Sequence, residues 1–183
     1  GGESGGQAVA DVLFGDHNPS GKLPITFYKD TTQLSDFEDY SMKGRTYRYM
    51  TAEPLFQCGY GLSYTSFQLG DAQLNTTQIK KDESLAVTIP VTNTGKKNGT
   101  EIVQLYVKKV NDTNGAIKTL RGFKRTEVIA GKTVNAVIDL HPAAFEFYNN
   151  KTLKMDVTAG EYELWYGNSS AVKDLKMIKI IVQ

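Results

Sequence analysis

From residue 85 onward this chain alternates apolar and polar side chains in one short run after another. Leu85, Val87, Ile89 and Val91 interleave with Ala86, Thr88, Pro90 and Thr92. Val103, Leu105 and Val107 alternate next, then Val134, Ala136, Ile138 and Leu140, then Tyr162, Leu164 and Tyr166 against Glu161, Glu163 and Trp165. A period of two places every second side chain on one face of a strand. Turn sequences such as Asn93-Thr94-Gly95 and Asn114-Gly115 separate the runs, and a β-rich run from Leu175 to Val182 closes the chain. About seven strands in ~115 residues predict an antiparallel sandwich of immunoglobulin-like type. A single cysteine, Cys58, excludes an internal disulfide and points to a fibronectin-like variant. Pro90 cannot donate to a ladder, so an edge or bulge is expected there.

Residues 1–66 read differently. A glycine-rich start, Gly1 to Gly6, leads into a helical pattern in which Ala8, Val9, Val12 and Leu13 share one face and Gly15 is the stop. Asp16 to Gly21 is turn chemistry. Leu23, Ile25 and Phe27 alternate as a short strand. Residues 29–53 show little periodicity and would make a poor core alone. Phe56 to Phe67 then sets Gly59 and Gly61 among aromatics, which reads as a tight crossing between two packed units. The chain therefore divides into residues 1–66 and residues 67–183. Its 183 residues suffice for one large or two small domains.

The totals narrow the partners. A net charge of +1 offers no field for nucleic acid, so no nucleic-acid partner is expected. No run approaches the ~20 apolar residues of a membrane span. Five N-x-S/T sequons, at Asn75, Asn98, Asn111, Asn150 and Asn168, are compatible with glycosylation but are read as Thr/Asn-rich turns.

Several constellations invite a catalytic reading. Gly2-Glu3-Ser4-Gly5-Gly6 has the G-x-S-x-G form of a nucleophile elbow, which needs a preceding strand. Ser4 with Gln7 is also a capping box, and that reading is preferred. Asp36, Glu38 and Asp39 form a carboxylate cluster, but glycosidases hold two carboxyl groups roughly 5–10 Å apart on rigid elements. Here three acids crowd one loop beside Arg45 and Arg48, so a solvated or ion-paired loop is favoured. Asn111 to Gly115 lacks the terminal glutamate of a calcium loop and is taken as a β-turn. His17 and His141 stand without metal-ligand spacing. Cys58 is read as a buried thiol. Trp165 and the tyrosines are read as packing residues rather than a sugar-stacking face. No metal or cofactor is expected.

Phe56-Gln57-Cys58-Gly59-Tyr60-Gly61-Leu62-Ser63-Tyr64-Thr65-Ser66-Phe67 closely resembles F-P-F-G-x-G-L-S-Y-T-x-F of glycoside hydrolase family 3. Gly2 to Asp16 is similar to its P-G-E-x-G-G-x-A-x-A-D-V-L-F-G-D, and Asn18 to Thr26 resembles N-P-S-G-[RK]-L-P-x-T. Leu120 to Arg125 resembles L-[KR]-G-F-x-[KR], and Ala159 to Leu164 with Gly167 to Ser170 resembles P-G-x-[YF]-x-[VL]…G-x-S-S. These stretches run in order across nearly the whole chain. Gly44 to Tyr49, G-R-T-Y-R-Y, looks like the β-xylosidase branch, with the β-glucosidase branch its close competitor. Gly1 stands where the family has proline, and Gln57 and Cys58 replace Pro and Phe.

The resemblance implies a mainly β chain: a fibronectin type III-like β-sandwich preceded by the end of an α/β sandwich domain. It implies a C-terminal, non-catalytic part of a retaining β-glycosidase, secreted or periplasmic, whose oligosaccharide substrate is cut elsewhere. The family's aspartate nucleophile and glutamate acid/base lie upstream of the position matched by Gly1, so no catalytic residue is carried onto this chain. The sandwich would buttress the rest of the parent chain or contact polymeric substrate. A stand-alone fibronectin-type binding or adhesion module and a small serine hydrolase using Ser4 are the alternatives. Tyr47, Tyr49, Leu55, Phe56, Tyr60, Leu62, Tyr64 and Phe67 are expected to anchor the first part onto the sandwich. Val9, Val12, Leu13, Ile25 and Phe27 are expected to be exposed, disordered or buried by self-association.

Overall fold

The computed structural model describes residues 2–183; Gly1, with its departure from the family proline, lies outside the described residues. The first helix, α1 (Gly5–Phe14), ends at Gly15, which takes the left-handed conformation at φ 84°. A short helix, α2 (Thr46–Tyr49), is the other helical piece longer than a single 3-10 turn before the sandwich begins. The strands are β1 (Phe67–Leu69), β2 (Gln73–Leu74), β3 (Gln78–Ile79), β4 (Leu85–Asn93), β5 (Gly99–Lys109) and β6 (Thr119–Val128). They continue with β7 (Thr133–Leu140), β8 (Phe147–Asn149), β9 (Lys154–Asp156), β10 (Gly160–Gly167) and β11 (Leu175–Val182).

Two sheets face each other. In one, β4 lies between β7 and the pair β1 and β2; in the other the order is β3-β11-β10-β5-β6. All pairings are antiparallel except that of β3 with β11. Hairpin β8–β9 stands apart. The alternation predicted from sequence is the packing observed: Leu85, Val87, Ile89 and Val91 are fully buried against Val103, Leu105, Val107, Tyr162 and Leu164. Val134 departs, at 41 % exposed near the start of β7. Pro90 sits in the central β4, yet its missing donor costs nothing in the ladder. It faces the gap between β1 and β2, where Gly70 N–H donates to the Pro90 carbonyl at 2.8 Å.

Two local expectations fail. Leu23–Phe27 is no strand; it makes one bridge, Phe27 with Phe56, while Leu23 N–H donates to the Tyr60 carbonyl and the Leu23 carbonyl accepts from Gly59 N–H. Pro24 lacks a donor, so the ladder cannot run through. Ser4 occupies the N-cap position of α1, but its side chain makes no capping bond. Gln7 instead donates to Asp11, one turn ahead, at 2.5 Å. The capping box is therefore absent, although the helix starts where it was expected.

Candidate functional site

Strand β5 is buried on both faces. Val103, Leu105 and Val107 enter the sandwich core, while Gln104 and Tyr106 on the opposite face are as deeply covered. The cover is the segment around residues 20–22 and 47–61. Tyr47 packs edge-on against Tyr106 at 5.6 Å, and its hydroxyl accepts from Leu120 N–H at 3.0 Å. Gly59, at φ 84°, lies directly on the Gln104 amide; a Cβ there would come within 2.6 Å of Oε1. Gly61 rests on the Gly21 carbonyl in the same way. Both glycines of the crossing segment thus serve close approach between the two parts.

A buried polar seam runs along this contact. Lys22 Nζ lies 2.9 Å from Glu101 Oε1, with the two side chains 14 % and 5 % exposed. Glu101 also accepts from Asn168 at 3.1 Å and from Ile102 N–H at 2.8 Å. Gln104 donates to the Asn168 carbonyl and accepts from the Tyr106 hydroxyl. Ser170 N–H donates to the Cys58 carbonyl at 2.9 Å. Asn18 extends the seam: its carbonyl oxygen accepts from Ser63 and Tyr64, and its amide donates to the Asn98 carbonyl. Asn93, fully buried, accepts from Thr65 and Gly95 and donates to the Lys97 and Val128 carbonyls. Burial pushes the Tyr106, Tyr47 and Cys58 acid groups above their ordinary values and pushes the Lys118 ammonium below its own.

The anchors expected from sequence are only partly those observed. Tyr47 and Phe67 do anchor, and Tyr49 is half-buried beside Arg48. Leu55, Phe56, Tyr60, Leu62 and Tyr64 are exposed, Leu62 to 70 %. Phe56 and Tyr60 stack on each other, and the Tyr64 hydroxyl donates to the Val12 carbonyl at 2.6 Å. The segment is held through polar seam residues and Cys58, because its contact face is the backbone side of the two glycines. Val9, Leu13, Ile25 and Phe27 are exposed as expected, Phe14 joins them at 85 %, and Val12 is half-buried.

The structure does not assemble the sequence-level catalytic candidates. Asp36, Glu38 and Asp39 lie on an exposed loop. Asp39 accepts from Ser41 N–H, which holds its carboxyl below the usual range, and Arg45 donates to the Asp39 carbonyl. An exposed carboxylate so stabilised is a poor proton donor. Ser4 is exposed with no histidine beside it; His141 Nδ1 sits 3.4 Å from Ser84 Oγ. His17 is exposed. Asn111 to Gly115 forms a turn closed by Gly115 N–H to the Asp112 carbonyl. Trp165 is half-buried and donates to Glu163 at 3.1 Å. Among the described residues no group of three or more His, Cys, Asp or Glu is placed to hold a metal ion. No helix of the described residues is long and apolar enough to cross a membrane.

Residues 1–64 match the glycosyl hydrolase family 3 C-terminal domain, and residues 101–170 match a fibronectin type III-like domain. The chain is 53 % identical over 180 residues to a xylan 1,4-beta-xylosidase of Xylanibacter ruminicola, covering 98 % of this chain and 20 % of that protein. It is 37 % identical to a periplasmic beta-glucosidase of Salmonella typhimurium, covering 93 % of this chain and 24 % of that one. A solved β-glucosidase from Erythrobacter marinus superposes with a TM-score of 0.82 at 34 % identity, over 98 % of this chain and 24 % of the other. The chain thus spans about a fifth to a quarter of the length of these relatives.

Proposed function

Because this chain belongs to glycoside hydrolase family 3, matching the C-terminal part of its members, we propose that it is the non-catalytic C-terminal part of a retaining β-glycosidase. The observation that carries this reading is the 53 % identity over 180 residues to a β-xylosidase, a match that runs through both parts of the chain. That match and the G-R-T-Y-R-Y stretch favour xylosides as substrates of the whole enzyme. A β-glucosidase is the second reading, supported by the 37 % and 34 % identical relatives. The sandwich buttresses residues 1–66, with the boundary placed between Ser66 and Phe67. The pair holds an exposed apolar face ready for the rest of the parent chain. A periplasmic relative supports an exported enzyme, periplasmic or secreted.

On this reading the nucleophile and acid/base are supplied from outside these residues. The 183-residue chain should show no turnover of nitrophenyl β-xyloside or β-glucoside. Turnover that persists through repurification and disappears on changing Asp36, Glu38 or Asp39 would overturn it.

A further inference from the structure

A second cleft, far from the polar seam in role, lies between α2 and hairpin β8–β9 and has a volume of about 210 Å³. Arg48 and Arg121 both line it. The Nε of each is buried without a hydrogen-bond partner, and neither arginine forms a salt bridge with any described residue. Arg121 lies over the Phe147 ring at 5.1 Å and donates to the Glu146 carbonyl. Arg48 lies 5.5 Å from the Tyr49 ring centroid, and its carbonyl accepts from Ile117 N–H at 2.7 Å. Burial, and then the charge of Arg48, weaken the hold of Arg121 on its proton. Two half-buried like charges, with Glu146 acting on Arg121 from beyond salt-bridge distance and no carboxylate of the described residues in direct contact with either, form an electrostatically incomplete site.

The rest of the lining specifies what completes it. Tyr148, 54 % exposed, and Tyr49 offer ring faces, while Asn114 and Asn150 offer amides. Asp112 shares the cleft and opposes a dianion such as phosphate. A planar monoanion matches the guanidinium fork. We propose that this cleft is a subsite for a uronic acid residue, whose carboxylate bridges Arg48 and Arg121 and whose ring packs on Tyr49 and Tyr148. The choice of a sugar rests on the glycosidase reading; a failure here leaves that reading to its own activity assay.

The test is titration of the 183-residue chain with D-glucuronate, D-glucose and acetate, followed by NMR amide shifts and calorimetry. Glucuronate should shift Arg48, Tyr49, Arg121 and Tyr148, and both comparators should bind about tenfold more weakly or worse. Binding should weaken with added salt. Tyr148→Ala and Arg48→Lys should each weaken it several-fold, the exposed Tyr148 site without loss of folding. The ligand series on the unaltered chain decides the matter if an arginine variant fails to fold. Equal binding of acetate overturns the proposal and marks the cleft as a dock for a protein carboxylate. Equal binding of glucose, or no binding of glucuronate, also overturns it.

Discussion

Lys22 is the residue whose chemistry most depends on the two parts being joined. Its ammonium is the one cation salt-bridged to Glu101 among the described residues, and both side chains are nearly buried. Removing one member of such a pair leaves an uncompensated buried charge, whereas replacing both leaves none. Lys22→Ala should therefore cost about 3 kcal/mol or more in urea denaturation. A Lys22→Met, Glu101→Gln double variant should recover most of that loss. Equal losses in both variants would show that packing, not charge, is at stake. In the sequence Lys22 and Asn18 stand out only as members of a motif and Asn93 only as a turn signal, because nothing local distinguishes a seam lysine or asparagine from a turn residue. Yet Asn93 satisfies four partners in the interior.

At the scale of elements, β5 explains why alternation alone under-reads a strand. Its inward face was predicted correctly, but the outer face carries Gln104 and Tyr106, which look solvent-facing until Tyr47, Cys58 and Gly59 cover them. This second layer has a pH signature. Tyr106, Tyr47 and Cys58 all hold their protons more tightly when folded, because burial disfavours their anions. The unfolded chain ionises first, near pH ~8.5 for Cys and ~10 for Tyr. Their contribution is complete below those values and is lost as pH rises past them toward the folded values. Lys118 works the other way, since its buried charge is relieved as pH rises. The urea midpoint is expected to fall between about pH 8 and pH 11 as these acid groups ionise. Tyr47→Phe should flatten the slope. A midpoint that stays level or climbs would contradict this layer being closed.

For the molecule as a whole, the two parts are held with very unequal strength. The sandwich has a continuous core, whereas α1 has no buried residue and leaves Leu13 and Phe14 at 72 % and 85 % exposed. A ten-residue helix without tertiary burial is marginal in water. In hydrogen exchange, β4, β5 and β10 should be protected as one unit together with residues 56–61, and α1 should exchange much faster. If the apolar face instead pairs two copies, sedimentation should become concentration-dependent and α1 should gain protection with it. Strong protection of α1 in a proven monomer would refute the picture. The sandwich, most inward strand faces, the helix stop at Gly15 and the family are legible in the chain alone, because each is written in local period, turn chemistry or collinear motif. The apolar face that lies open is legible there too. Which residues join the parts becomes visible once the chain is folded. That contact is made by backbone at Gly59 and Gly61 and by polar side chains, and neither leaves a hydrophobic period to read. The interrupted ribbon at Leu23–Phe27 and the idle Ser4 hydroxyl have the same origin: partners distant in sequence, or missing, override a local propensity.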